Sequence, residues 1–329
     1  GPYKIAAFQP GEKIVYERFD AFWGDAAPLQ TATVVQIAET ASRLTALKTG
    51  EADIVTNIAP DQLMLIENDP ELKTAGSATA LFHVMIMNMN HPKLQDPRIR
   101  QAMSLAIDRE GIAKAVLRYP QGATQLFPPS VAGWHDETLP PLAYDPNEAK
   151  ALLAELGWQA GHDGILTRDG ERFALTLTTY PDRPELPLVA AVLEQQFRAI
   201  GVELTINTTN SSEIPAGHQD GSLDLGLIAR NFSLIPDPIG TVLGDYVGNG
   251  DWGAMNWQND SFAELVRGIS RGTGGASDKA EAAAILQSEL PIIPIAWYQQ
   301  TLAVSDTVAG ATIDPFERTF GLQDIRWAE

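Results

Sequence analysis

The 329-residue chain contains no cysteine, which removes disulfides, thiolate metal sites and thiol nucleophiles and leaves the compartment open. Histidine is scarce. His83, His91, His135, His162 and His218 never fall at HxH or HxxxH spacing, so no zinc motif is present. Each is expected on the surface or in a hydrogen bond, although a single one could still meet a bound metal complex. Apolar runs are short: Ala80 to Met89 and Leu290 to Tyr298 stop well below the ~20 residues needed to cross a bilayer. Positive charge is also in deficit. Lys and Arg number 23 against 42 Asp and Glu, a formal net charge of −19, and that field repels phosphate backbones and anionic lipid, so nucleic acid is not an expected partner. The acidity otherwise serves solubility and says little about a ligand.

Catalytic signatures are missing as well. There is no GxSxG elbow, Walker loop or GxGxxG, and RGTGGAS at Arg271 to Ser277 lacks both a preceding strand and a phosphate-binding lysine, so it reads as a linker. With 42 acidic residues a coincidental carboxylate pair is expected, and no hydrolase follows from one. No tandem repeat, cofactor motif or metal site is found. The opening GPYK has neither a basic start nor an apolar signal region, so any export signal is expected to lie outside this sequence.

What is present is α/β patterning throughout. Lys13 to Arg18 and Thr33 to Ile37 read as strands, and Thr40 to Lys48 as a helix stopped by Gly50 before a strand at Asp53 to Val55. Pro60 to Glu67 is a short helix, and Leu81 to Asn90 is apolar enough for a largely buried strand. Asp96-Pro97 and Asp145-Pro146 each pair an N-cap acid with proline at the first helical position, and Asp108 caps another helix. Asp163-Gly164 and Asp169-Gly170 mark tight turns of a hairpin. A strand at Ala174 to Thr179, a helix at Leu186 to Ile200 and a strand at Val202 to Asn207 form a βαβ unit, hence a parallel pair. Leu223 to Ala229 adds a strand, Ser277 to Leu290 an alanine-rich helix capped by Ser277, and Ile292 to Val304 is extended.

One stretch has unusual chemistry. Arg230 to Trp257, RNFSLIPDPIGTVLGDYVGNGDWGAMNW, is rich in Gly and Pro and carries Phe232, Tyr246, Trp252 and Trp257. Such aromatics either line a ligand cleft, combining apolar area with a polar edge, or seal the loop onto the core. Composition does not choose between the two.

Several stretches together resemble the bacterial solute-binding proteins of ABC importers, family 5, the dipeptide, oligopeptide and nickel-binding type. GPYKI with PGEKIVYERFDAFWG, ASRLTALKTGEADIV and above all MNMNHPKLQDPRIRQAMSLAIDREGI carry the likeness, which continues through LAYDPNEAKALLAELGW, FRAIGVEL, the PDP loop at Pro236 to Pro238 and LPIIPIAWYQQ. The resemblance implies an α/β, two-lobe periplasmic-binding-protein fold (type II) with an incomplete first lobe, because GPYK falls well inside the family pattern. Residues 1–90 and 299–329 would be the remainder of the first lobe and 91–298 the second, with hinges near 87–91 and 296–300. An exposed sheet edge or apolar patch is then expected in the first lobe.

The resemblance further implies a monomer without enzyme activity. It captures a peptide-like or metal-chelate-like ligand and delivers it to permease subunits in the membrane, from the periplasm or a lipid anchor. A binding protein serving as chemoreceptor partner or chaperone is the alternative, and a hydrolase a remote one. Peptide-binding relatives hold the ligand carboxylate with an arginine before the long βαβ helix, where Arg183 stands in TTYPDRPELP; a guanidinium suits a carboxylate. They place an aspartate shortly before the DP dipeptide for the ligand's amino terminus. Here Asn231 and Phe232 precede Asp237-Pro238, and nickel-type relatives' downstream histidine is replaced by GNGDWG. The expected ligand-binding set is Arg183, Asn231, Phe232, Asp237, Trp252 and Trp257, all on one cleft, and Asn231 disfavours a ligand ammonium.

Overall fold

A computed structural model describes residues 1–119, 121–131, 133–232 and 237–328, apart from the Ala78 side chain. Ser233 to Pro236, including the first proline of the PDP loop, lie outside the described residues. The chain forms two compact units, residues 1–79 with 299–329 and residues 80–298.

In the first unit, β1 (Tyr3–Gln9), β2 (Lys13–Arg18) and β3 (Thr31–Val35) make an antiparallel sheet. Its register pairs Ile5 with Tyr16, Phe8 with Ile14, and Ile14 with Val34, so Tyr3, Ile5, Phe8, Ile14, Tyr16, Ala32 and Val34 share one face. Arg18 joins them opposite Tyr3, and Lys13, Glu17, Thr31 and Thr33, with Val15 and Val35, occupy the other. Part of the apolar face is open: Ile5 and Phe8 are each 62% exposed, whereas Tyr3, Ile14, Tyr16, Ala32 and Val34 are half-buried. The unit's core lies elsewhere. Helix α1 (Thr40–Lys48), strand β4 (Ile54–Thr56), a 3₁₀ turn at Pro60–Gln62 and α2 (Leu63–Glu67) bury Leu44, Leu47, Val55, Ile58 and Ile66 around Ala303. A second cluster joins Leu302, Val304, Val308 and Ile325.

Strand β5 (Leu72–Met87) carries the chain into the second unit. There α3 (Pro97–Leu105) starts at Asp96, whose carboxylate accepts from the Arg98 N–H. Helix α4 (Arg109–Gly111), capped by Asp108, continues into a π-turn at Ile112–Leu117. Helix α5 (Pro146–Glu155), capped by Asp145, leads to the β6 (Gln159–Ala160), β7 (Leu166–Arg168) and β8 (Glu171–Arg172) meander. The expected βαβ unit follows as β9 (Ala174–Thr179), α6 (Glu185–Ala199) and β10 (Glu203–Thr208), the strands parallel and in register from Ala174–Glu203 to Thr179–Thr208. Next come α7 (Glu213–Asp220), β11 (Leu225–Asn231), α8 (Ile239–Val242) with a π-turn at Leu243–Val247, α9 (Asp260–Ser270) and α10 (Ala276–Glu289). Strand β12 (Ile292–Ser305) returns the chain to the first unit, which closes with β13 (Val308–Ala309) and β14 (Arg326–Trp327).

The second unit's sheet runs β10-β9-β11-β5-β12. β11 is parallel to β9 and antiparallel to β5. Leu186, Val189, Ala190, Leu193 and Phe197 of α6 are fully buried on it. The residues that most resemble the family serve architecture: Arg100 donates to the Glu289, Leu290 and Leu94 carbonyls and Arg109 to those of Pro294 and Ser104. Both are buried, and the hydrogen bonds offset desolvation of the guanidinium.

Two expectations need correction. The first crossing was expected near 87–91 with a boundary at 90/91, whereas the units part at Thr79/Ala80. The reason is pairing: Leu81 to Met87 lie opposite Asn231 to Leu225 of β11, which fixes them in the second unit. Ser277 is not the cap of α10. The helix begins at Ala276 with Gly275 as cap, and the Gly275 N–H donates to the Asp278 carboxylate at 2.6 Å.

Candidate functional site

In open α/β sheets the carboxyl ends of parallel strands present backbone termini and loops to ligands. β9 and β11 end on one such edge of the second unit, the edge at which β5 enters and β12 leaves. β11 runs past β9, and Tyr180, the residue after β9, covers the surplus: its hydroxyl accepts the Ala229 N–H at 3.2 Å. Thr179 Oγ1 donates to the Leu227 carbonyl at 2.9 Å. Burial pushes the Tyr180 hydroxyl above its ordinary pKa despite the backbone hydrogen bond, so it is a neutral group.

Arg183 follows in the same β9–α6 loop and is half-buried. Its Nη1 donates to the Tyr298 hydroxyl at 3.3 Å, and its guanidinium carbon sits 5.2 Å from the Tyr298 ring centroid, a cation–π arrangement. Tyr298 also meets His83, with ring centroids 5.1 Å apart, and Tyr119 edge-on at 6.1 Å. His83 Nε2 lies 3.0 Å from Glu185 Oε1. Burial raises the Glu185 carboxyl, but the His83 hydrogen bond and charge, with Arg183 nearby, more than offset it and hold it below the ordinary range. Glu185 is therefore the ionised acceptor and His83 Nε2 the donor.

The aromatic loop is pinned to the same strand by Arg230, which bonds Asp245 through two nitrogens at 2.6 and 3.0 Å. Glycines are needed here: a Cβ on Gly253 would collide with the Asp245 carbonyl, and one on Gly250 with the Gly244 carbonyl. GNGDWG thus wraps Asp245. The wrap delivers half-buried Trp252 edge-on to Tyr180, with centroids 6.4 Å apart.

The six expected residues separate. Arg183 and Trp252 border the Tyr180 loop, and Asn231 ends β11 opposite Leu81. Phe232 is fully buried, stacked on Phe82 at 4.3 Å and Phe127 at 4.8 Å, so it seals the loop onto the core. Trp257 does likewise: it is 8% exposed and its Nε1 donates to Glu289 at 2.8 Å. Asp237 is exposed and accepts the Ile239 N–H at 3.0 Å, opening α8. One cleft does not hold all six. Tyr180 and Tyr298, which border Arg183, and buried His83 and Glu185 were not anticipated; the single histidine in the otherwise apolar run Ala80 to Met87 was the available signal, since a buried polar side chain needs a partner.

A family description, Bacterial extracellular solute-binding proteins, family 5 Middle, matches residues 1–253. Oligopeptide-binding protein AppA of Bacillus subtilis is 26% identical over 242 residues, 72% of this chain and 44% of AppA. Glutathione-binding protein GsiB of Escherichia coli K12 is 25% identical over 215 residues, 65% of this chain and 40% of GsiB. The chain spans less than half the length of these curated relatives. Among solved structures, NikA from Brucella suis in complex with Fe(III)-EDTA superposes with a TM-score of 0.89 at 22% identity, over 100% of this chain and 68% of that one. Bacillus subtilis AppA with a nonapeptide gives 0.82 at 19%, over 100% and 66%. These likenesses establish the periplasmic-binding-protein fold expected from the sequence. Because the family match covers well over half of its length, the chain belongs to the bacterial extracellular solute-binding proteins, family 5.

Proposed function

We propose that this protein is the ligand-capturing component of an ABC importer, that it delivers a small ligand to permease subunits outside the cytoplasmic membrane, and that it carries out no reaction. The observation that supports a binding patch is the edge where β9 and β11 end, with Tyr180, Arg183 and Trp252 around one loop and Asn231 closing β11. Arg183 supplies positive charge to an anionic group, and half-buried Trp252, set edge-on against buried Tyr180, supplies aromatic area. Relatives named for oligopeptides and glutathione fit a carboxylate-bearing ligand. In this proposal the protein works as a monomer, and β5 and β12 carry the hinge where each passes from one unit to the other.

Asn231 sets the ligand charge. A ligand ammonium that meets an amide instead of a carboxylate loses a charge-assisted hydrogen bond of ~1.5–3 kcal/mol, or roughly one to two orders of magnitude in affinity. Calorimetry with a panel of di- to pentapeptides and their N-acetylated forms tests this. The acetylated forms are expected to bind at least as well as free peptides, and Asn231→Asp to shift preference toward free amines. Tight binding of free peptides that acetylation abolishes would overturn this assignment.

A further inference from the structure

His83 is the only polar side chain between Ala80 and Met87 and is fully buried. Its partner, Glu185, is also buried and comes from 102 residues away in the chain. A buried polar pair contributes little net stability relative to apolar residues of the same volume, so its placement calls for another explanation. The geometry supplies one. Glu185 opens α6 only two residues after Arg183, so the bond from His83 anchors the backbone that carries the arginine to β5. The His83 ring also braces Tyr298, whose hydroxyl accepts from Arg183 and whose face meets the guanidinium. One imidazole thereby touches both supports of the same cation.

We infer that His83, through its Nε2 donor to Glu185, is a positioning residue that sets the Arg183 guanidinium for a ligand carboxylate. This rests on the proposal that Arg183 engages the ligand. Around the imidazole stand Glu185 and Arg183 from the β9–α6 segment, Tyr119 from the loop after the π-turn and Tyr298 from β12. The alternative is that His83 only fills space between Tyr119 and Tyr298.

The two roles predict opposite results for two substitutions. His83→Gln keeps an amide donor near the Nε2 position and loses the ring; His83→Phe keeps the ring and loses the donor. The readout is affinity, by calorimetry, for N-acetylated di- to pentapeptides and for the same peptides as C-terminal amides. If His83 positions Arg183, the wild type prefers acid to amide, His83→Phe loses about tenfold on the acids alone, and His83→Gln stays within about threefold. In an Arg183→Ala background both His83 variants should then bind acids equally. Should His83→Phe fold poorly because it strands the Glu185 carboxylate, the double variant His83→Phe/Glu185→Gln removes that charge and is expected to show the same selective loss. An unchanged acid preference in His83→Phe, or equal losses on acids and amides, overturns the inference and leaves the Arg183 assignment standing. A wild type that shows no acid preference, with Arg183→Ala without effect, overturns both.

Discussion

β5 runs through both units and contrasts them within one strand. From Leu72 to Ser77 its side chains are exposed or half-buried, whereas every residue from Ala80 to Met87 is at most 1% exposed. The sheets repeat the contrast. β9, β11 and β5 lie in a sheet with α6 packed across it; β1, β2 and β3 gather Ile5, Phe8, Ile14, Tyr16 and Val34 on one face, half-bury the last three and leave Ile5 and Phe8 exposed. Both sequences carry good strand patterning. Alternation fixes which side chains share a face, but not whether anything covers that face.

The largest expected effect lies where the covered sheet meets the aromatic loop. Phe232→Ala removes a fully buried ring stacked on Phe82 and Phe127, and is expected to destabilise the protein by about 3–5 kcal/mol. A urea titration reads it as a lowered midpoint with unchanged slope. A loss below about 1 kcal/mol would show that the loop is not part of this core and that Phe232 does not seal it.

The same comparison explains what the sequence made legible. The βαβ unit was readable because its helix repeats apolar residues at i, i+3 and i+4, and Gly201 stops it before Val202. Asp96 and Asp145 were readable because capping is local. α9 was missed although Asn259 caps it, its side chain accepting from the Phe262 N–H at 2.8 Å; the Gly-rich stretch before it masked the start. The site was less legible. Arg183 and Trp252 came from loop chemistry and resemblance, but Phe232 and Trp257 have the same composition and a different burial. His83–Glu185 and Arg230–Asp245 join residues distant in sequence, and no local pattern encodes such a pairing.

A middle-sized effect separates the units electrostatically. Glu185 has a folded pKa below its ordinary 4.5, so its contribution is present above that value and is lost as pH falls through the lower folded one. Glu185→Gln is expected to destabilise by about 1.5–3 kcal/mol at pH 7, the range for a hydrogen bond to a charged group, and by less as pH drops below 4.5. In the first unit Glu17 lies 3.6 Å from Lys4 with both side chains more than half exposed, and Glu17→Gln should change stability by no more than about 0.5 kcal/mol at either pH. Urea titrations of both variants across the acid range decide the point. A Glu185→Gln penalty that does not shrink on acidification would mean that the carboxylate is not the ionised acceptor.

The smallest expected change in stability belongs to the open face. Phe8 opposes Ile14 in the register and is 62% exposed, so replacing it removes little buried area. Phe8→Ser should therefore shift the urea midpoint by an amount equivalent to about 0.5 kcal/mol or less. The effect on association should be larger. An apolar face of several adjacent strands binds hydrophobic dye and promotes self-association; Phe8→Ser and Ile5→Ser together are expected to lower dye fluorescence and light scattering at high protein concentration. Substituting Lys13 and Thr33, on the opposite face of the same sheet, should leave both signals unchanged. If the Lys13 and Thr33 variants act as strongly as the Phe8 and Ile5 pair, that face is not what the protein exposes to its surroundings, and the contrast between the units reduces to strand length. If Phe8→Ser instead costs several kcal/mol, the β1 to β3 sheet has cover in solution, and the two units share one principle of construction.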